Sequence, residues 1–237
     1  MTALRPPIGR IGGKSKLADT IISLFPPHRT YVEPFVGAGN IFYRKPISET
    51  EIINDLDTDM YKIFKGIQDR GKWLDKNVKR DFLTREEFEM VRDRQDLLSL
   101  LYKYRCSFAS KGRSFNATHA GSYWRANFSA LQDRLKNVDI YNRDYRDLVK
   151  RFDSPTTFFY LDPPYENSGD YKAGRVDPND IYETVKKIRG KWLLSYNDSP
   201  RIRELFKEFN VRLIPTTYTA NQKGNHHKIN ELIISNY

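Results

Sequence analysis

Asp162-Pro163-Pro164-Tyr165 is the tetrapeptide of this chain with the most to offer a reaction. An aspartate and a rigid backbone carbonyl both accept hydrogen bonds, so together they can grip an exocyclic amino group. Two prolines fix the chain in an extended turn and hold those acceptors in place. A tyrosine ring beside them can stack on a planar base. The run before it, Thr156 to Leu161, is β-branched and aromatic, the composition of a buried central strand. In an open α/β sheet, ligands bind at the carboxyl ends of strands, which is where this turn falls. Standing alone, the same residues also read as an ordinary Pro-Pro turn.

Three further clusters bear on ligand binding. In Glu33-Pro34-Phe35-Val36-Gly37-Ala38-Gly39, glycines at a strand-to-helix turn let the backbone approach a nucleotide closely. The third glycine of the dinucleotide fingerprint is missing, and the turn has no phosphate-loop lysine. Asp55, 16 positions beyond Gly39, is placed to take ribose hydroxyls; Asp57 reads instead as a helix N-cap. Gly12-Gly13-Lys14-Ser15 looks like the tail of a phosphate loop but lacks the upstream glycine and strand, so an ATPase is disfavoured. A glycine pair followed by lysine can still clamp a ligand carboxylate. After the run Val138 to Tyr141 comes Asn142-Arg143-Asp144-Tyr145, an acid then an aromatic, which suits an adenine; Asp144 reads equally as a helix N-cap. His226-His227 suggests a metal only superficially. Neighbours on a strand point to opposite faces, so no metal is expected.

The elements that must position these residues alternate. Thr30 to Phe35, Glu51 to Asn54, Val138 to Tyr141, Thr156 to Leu161, Lys191 to Ser195, Val211 to Pro215 and Glu231 to Ser235 read as strands. Asp57 to Asp69, Pro178 to Arg189 and Pro200 to Phe209 read as helices. This predicts an α/β fold, a sheet with helices on both faces. The stretch from about Arg70 to Lys136 breaks the pattern and is helical in period, through Phe82, Phe88, Val91 and then Leu97, Leu98, Leu100 and Leu101. It reads as an insertion. Residues 1–69 and 137–237 then form the catalytic domain, and 70–136 a recognition subdomain.

The chain has 237 residues, 39% hydrophobic and 30% charged, enough for a packed core and against a disordered tail protein. No apolar run reaches the roughly 18–20 residues of a spanning helix. Met1 to Gly13 lacks a signal-peptide core. A single cysteine, Cys106, excludes an internal disulfide framework and a Cys-rich zinc site. An intracellular protein is expected, cytoplasmic or nucleoid-associated, with bacterial and viral origins both open. The net charge of +10 points to an acidic partner, nucleic acid first. Between Asp96 and Asp133 there is no acid at all, yet the stretch carries Lys103, Arg105, Lys111, Arg113 and Arg125. Interleaved are Tyr102, Tyr104, Phe108, Phe115, Tyr123, Trp124 and Phe128. Cations bind phosphates and aromatic faces stack on bases; the bland alternative is that these rings are core.

Taken together and in this order, the motifs resemble the Dam-like DNA adenine N6-methyltransferases of the alpha class. The matching segments are Gly12-Gly13-Lys14, the Glu33 to Gly39 turn, Asp55, Asp144-Tyr145, Asp162 to Tyr165, and Ser195-Tyr196-Asn197-Asp198. The resemblance covers most of the chain. It implies a Rossmann-like doubly wound methyltransferase sheet with an inserted, mainly helical target-recognition subdomain. It also implies S-adenosyl-L-methionine as cofactor. Lys14 with Gly12 and Gly13 would hold its methionine end. Glu33, Pro34, Phe35, Gly37, Ala38 and Gly39 would line its floor, Asp55 would take the ribose, and Asp144 and Tyr145 the adenine. Asp162 and the Pro163 carbonyl would grip the target amine, with Pro164 rigidifying the turn and Tyr165 stacking on a flipped base. Where the family often has an aromatic residue and alanine before the two glycines, this chain has Arg10-Ile11, so a cofactor contact at Arg10 is the least secure of the set. The insertion does not match the family's GATC-reading segment, so a target sequence does not carry over.

The expected partner is double-stranded DNA, with no membrane or metal, and the expected state a monomer or weak dimer. The rivals are an inactive or regulatory DNA-binding protein, methylation of cytosine N4 or of RNA, and an NAD-dependent oxidoreductase. The incomplete glycine fingerprint and the basic insertion disfavour the last. If Lys103, Arg105, Lys111, Arg113 and Arg125 all contact phosphates, log K against log salt has a slope of about −4 to −5, measurable by anisotropy titration of labelled DNA.

Overall fold

The computed structural model describes residues 4–10, 12–81, 83–121, 123–165, 174–217 and 228–237. Phe82, Ile11, His226 and His227 lie outside them. Along the chain the elements are α1 (Ala18–Ile22), β1 (Thr30–Glu33), β2 (Thr50–Asn54), α2 (Thr58–Asn77), α3 (Arg85–Arg92), α4 (Leu97–Arg105), α5 (Ala117–Ala120) and α6 (Phe128–Leu135). There follow β3 (Val138–Tyr141), α7 (Tyr145–Phe152), β4 (Thr157–Leu161), α8 (Pro178–Val185), β5 (Lys191–Asn197), α9 (Pro200–Leu205), β6 (Asn210–Thr217) and β7 (Lys228–Ser235). Two compact units emerge. The first comprises Met1–Ser23, Val36–Pro46 and Asp57–Asn142; the second comprises Leu24–Phe35, Ile47–Leu56 and Arg143–Tyr237.

The second unit is built on a sheet in the order β2-β1-β4-β5-β7-β6. Its β2, β1, β4 and β5 run parallel, and β7 joins β5 and β6 antiparallel. Strand β1 has β2 on one side and β4 on the other, so the order reverses there, as in doubly wound Rossmann-like sheets. All five residues of β4 are buried, which is why its sequence is a continuous apolar run rather than an alternating one. Phe25 packs on Phe158 at 4.6 Å between centroids and on Tyr31 at 5.9 Å, a ring cluster beneath the same strands. Helices α8 and α9 start where the sequence stops them well. Asp177 and Ser199 accept from Asn179 and Ile202 backbone amides, and each is followed by proline in the first turn.

The first unit is helical apart from β3. The expected Asp57 to Asp69 helix is longer, because the buried stripe Met60, Ile63, Phe64, Ile67, Gly71 and Leu74 carries on past Asp69. The boundary drawn at 69/70 falls inside α2, at Arg70, its one non-helical residue (φ −134°, ψ 21°). Gly71 is required by close approach, since a Cβ there would meet the Phe128 carbonyl oxygen of α6 at 2.3 Å. Conversely, α8 and α9 are shorter than their apolar pattern suggested. Each closes in a turn, with the Lys186 amide on Tyr182 O and the Phe206 amide on Ile202 O. Helix α1 had no signal beyond one acid, Asp19, in its first turn.

Asp75 fixes the α2 to α6 junction. Its carboxylate takes the Phe128 amide (3.1 Å), the Ser129 amide (2.7 Å), the Ser129 hydroxyl (2.5 Å) and the Arg80 guanidinium (2.6 Å). Burial alone would raise the pKa of Asp75; the Ser129 and Phe128 hydrogen bonds and Arg80 outweigh it and hold the pKa below its ordinary value. A depressed carboxyl stabilises fully above its unfolded value of about 3.9 and loses that stabilisation as pH falls through the folded pKa. Asp75→Ala is expected to cost about 1–3 kcal/mol at pH 7 and progressively less toward pH 3, read from urea melts of both proteins.

Candidate active site

The strand reversal places the carboxyl ends of β1 and β4 side by side in the second unit, and the chemistry-bearing residues gather there. Beyond β4, Asp162 Oδ1 accepts the Ser195 hydroxyl at 2.9 Å and the Tyr165 hydroxyl at 3.4 Å. The Tyr160 and Ser195 hydroxyls are 3.1 Å apart. Tyr165 also donates to Glu231 of β7, and its ring lies 4.8 Å from that of Tyr196 at an interplanar angle of 35°. Glu231 is fully buried and pairs across the ladder with Asn197, whose Oδ1 is buried and accepts no hydrogen bond. Strand β5 runs two residues beyond its expected end at Ser195, and that extension carries Asn197 into register with Glu231. The polar groups tied together here by hydrogen bonds are Asp162, Ser195, Tyr165 and Glu231, with two carboxylates as acceptors. Such a cluster suits a ligand that donates through an amino group.

A second group lies at the end of β1 and the start of α7. Phe35 and Tyr145 rings are 5.1 Å apart, and Tyr145 is buried. Asn54 positions both segments. Its Nδ2 donates to Pro34 O at 2.9 Å and Arg143 O at 3.0 Å, and its Oδ1 accepts the Arg143 amide at 2.8 Å. The sequence pointed to Asp55, the next residue, and gave no signal for Asn54. Asp144 caps α7, accepting the Arg146 amide, and is held on both oxygens by the Arg146 guanidinium at 2.8 and 2.7 Å. Its hydrogen bonds with Arg146 set its pKa below the ordinary range. Asp55 is buried at the end of β2, and Glu33 is buried with the Tyr31 hydroxyl on it at 2.6 Å.

The remaining predicted residues belong to the first unit. Gly37 (φ +53°) and Gly39 (φ +80°) both take the left-handed conformation, and a Cβ on Gly39 would meet the Tyr43 ring at 2.9 Å. Ala38 is buried between them. Lys14 is buried with its ammonium on Gly12 O at 3.0 Å, and a Cβ on Gly13 would strike Asn40 Nδ2 at 2.6 Å. Arg10 pairs with Asp57 at 3.0 Å, while Asp57 caps α2, as its sequence reading indicated.

Of the basic residues, Lys103 is ion-paired to the buried Asp59 at 3.2 Å. Arg105 lies over the Trp124 ring at 5.8 Å, and Arg125 is exposed. Lys111 and Arg113 are exposed on a loop in which Ala109 (φ 50°) and Ser110 (φ 54°) adopt left-handed backbone, strained for non-glycine residues. The interleaved aromatics divide. Tyr104, Trp124 and Phe128 are core, and Tyr102 and Phe115 pack against the Leu83, Phe88, Cys106 and Ala120 cluster. Phe108 (47%) and Tyr123 (59%) are exposed.

Residues 11–220 match the model of a known family, the D12 class N6 adenine-specific DNA methyltransferases. The chain belongs to this family. A type II methyltransferase, M1.LlaDCHI, of Lactococcus lactis subsp. cremoris is 26% identical over 99% of this chain and 96% of its own. A DNA adenine methylase of Vibrio cholerae is 26% identical over 94% and 92%. That of Escherichia coli K12 is 28% identical over 65% and 62%. Among solved structures, an rRNA methylase of Streptococcus thermophilus aligns over 100% of this chain and 98% of its own, at TM-score 0.43 and 9% identity. The protein is thus an adenine-specific DNA methyltransferase, and its family implies a methyl donor of the S-adenosylmethionine type. In the first unit the glycine turn, with two left-handed residues, admits the close backbone approach such a donor needs. In the second, the Phe35 and Tyr145 rings offer a face of the kind an adenine packs on. Among the described residues no His, Cys, Asp and Glu group could hold a metal, and no helix is long and apolar enough to cross a membrane.

Glu231 was not singled out from the sequence, because a lone acid inside an apolar strand has no motif around it. Glu231→Ala removes the acceptor that fixes the Tyr165 hydroxyl. It is expected to lower kcat/KM for DNA about 10- to 100-fold while donor affinity, by calorimetry, stays within about twofold. Glu231→Gln, which keeps an acceptor, restores most of the loss. Wild-type kcat/KM in Glu231→Ala would remove Glu231 from the site.

Proposed function

We propose that the Asp162 to Tyr165 turn receives a flipped adenine of double-stranded DNA and presents its N6 amine for methylation, at a sequence-defined site. The protein is proposed to act as a monomer or weak dimer. The observation that carries this reading is the Asp162 carboxylate at the end of β4, oriented by the Ser195 hydroxyl at 2.9 Å, with the Tyr165 hydroxyl, which donates mainly to Glu231, at 3.4 Å. The amine is inaccessible while the base is stacked, so the base leaves the helix at a cost of a few kcal/mol. Tyr165, backed by Tyr196, offers the extruded base a stacking face.

An adenine amine shares its lone pair with the ring. Hydrogen bonds from its two protons to Asp162 and the Pro163 carbonyl draw the nitrogen toward a tetrahedral geometry and localise that pair. The donor, when bound, supplies an electrophilic methyl group on a sulfonium. Lys14, Gly12 and Gly13 hold its carboxylate end, Asp55 its ribose hydroxyls, and Phe35, Asp144 and Tyr145 its adenine. Glu33, Pro34, Gly37, Ala38 and Gly39 form the floor. Arg10 is paired with Asp57. No strong base is needed before attack, because the amine proton becomes acidic only as the new bond forms; Asp162 is at hand to take it. Lys111 and Arg113, on the strained loop beside exposed Phe108, are the candidate contacts on the target-reading side.

Nucleoside mass spectrometry tests the reading on unmethylated DNA incubated with the methyl donor. N6-methyladenine is the expected product. Asp162→Ala is expected to lose at least about 10²–10³-fold in kcat while keeping donor and DNA affinity. N4-methylcytosine as the product, or near-normal turnover by the variant, would contradict the proposed role of this turn.

A further inference from the structure

The first unit contains a groove of about 1040 Å³ whose lining includes Arg5, Arg10, Arg44, Arg105 and Arg125, against one acid, Asp19. Only Arg105 and Arg125 of these were expected to meet DNA; the amino-terminal strip was read as cofactor domain. The walls are fixed before any ligand arrives. The Trp124 indole donates to Pro7 O at 2.8 Å, tying the strip to the recognition segment. Arg80 donates to the Trp124 and Ala126 carbonyls at 2.9 and 2.7 Å, which holds the segment bearing Arg125. Arg44 donates to Ser15 O at 2.6 Å. A Cβ on Gly9 would meet Ser110 Oγ at 2.7 Å, so the strip runs tight against the loop that carries Lys111 and Arg113.

We propose that this groove is a track for the DNA phosphodiester backbone and that Arg5 and Arg44 are phosphate contacts, opposite Arg105 and Arg125. The proposal rests on the DNA-substrate reading above and adds a second wall to the interface. Guanidinium forks match phosphate oxygens two at a time, and arginine is less strongly hydrated than lysine, so the four arginines of the groove other than Arg10, which Asp57 pairs, favour a polyanion. Asn40 and Asn127 add amide groups, and Trp124 and Leu131 an apolar floor suited to sugar faces. Contacts of this kind carry no base information, so Arg5 and Arg44 set affinity and register, not sequence choice.

The test compares wild type, Arg5→Gln, Arg44→Gln and the double variant in anisotropy titrations of several unrelated DNA duplexes across a salt series. Donor affinity and melting temperature are measured in parallel. The double variant is expected to bind every duplex about tenfold more weakly near 0.15 M salt, and the salt slope to shrink by about 2, one per lost phosphate contact. Arg5→Gln alone, at an exposed position with no fold to support, shows half of that. Unchanged DNA affinity and slope in the double variant would overturn the groove assignment and leave the methyltransferase reading standing. So would a loss confined to donor affinity, which would make the groove part of the cofactor site. A wild type that binds RNA but no DNA would overturn both.

Discussion

A buried or half-buried carboxylate must be met by donors, and the strand ends of the second unit are organised around that requirement. Glu33 takes the Tyr31 hydroxyl, Asp162 those of Ser195 and Tyr165, and Glu231 that of Tyr165. Burial pushes the Tyr31 and Tyr160 hydroxyls well above their ordinary pKa, with neighbouring carboxylates adding to the shift. These phenols therefore never surrender their protons at working pH. Tyr31 thus stays a donor to Glu33, and Tyr160 stays protonated beside Ser195, whose hydroxyl donates to Asp162. Electrostatic preorganisation of this kind costs nothing at the moment of reaction. The tyrosines inside β1 and β4 are thus more than plain core; they hold Glu33 and the Ser195 hydroxyl in place.

The parts of this arrangement legible in the sequence were those whose signal is local. Asp162 to Tyr165 announces itself by two prolines after an apolar run, and the glycine turn by its glycines. The cap role of Asp57 follows from the helix pattern behind it, and Asp144 proved to be a cap as well. What could not be read was what the sheet order creates. Glu231 lies 66 residues from Tyr165 and meets it only because β7 inserts antiparallel between β5 and β6. Asn54 joins two segments 89 residues apart. Neither has a companion in sequence, and a single polar residue in a strand gives no period to detect. The lengths of α2 and α8 went astray in opposite directions for one reason: tertiary burial extends or ends a helix where propensity is neutral.

The acid-free segment between Asp96 and Asp133 shows why charge composition needs a structure to be apportioned. Its aromatic residues were open to two readings, and both are present. Most close a small core around Phe88 and Phe128, while Phe108 and Tyr123 face outward. Its cations divide likewise. Lys103 is drawn in to Asp59, whose carboxylate also takes the Tyr104 hydroxyl at 2.8 Å, so this lysine serves the packing of α4 on α2. Burial chiefly, then the nearby Asp57 and Asp59, pushes the Tyr104 phenol up. A positive residue in a basic stretch is therefore not automatically a ligand for phosphate.

Helix α2 carries this division through the whole first unit. Along it, Asp57 holds Arg10 of the amino-terminal strip, Asp59 holds Lys103 and Tyr104 of α4, and Asp75 holds the start of α6 together with Arg80. The groove walls are the strip, the end of α4 and the start of α6, so each wall is tethered to one helix through one carboxylate. Those three acids are spent inward on tethers, and two of them are buried. Asp57 pairs Arg10, and the groove lining itself holds one acid, Asp19, against the other arginines. The same residues that make the unit rigid thereby leave its open face positive.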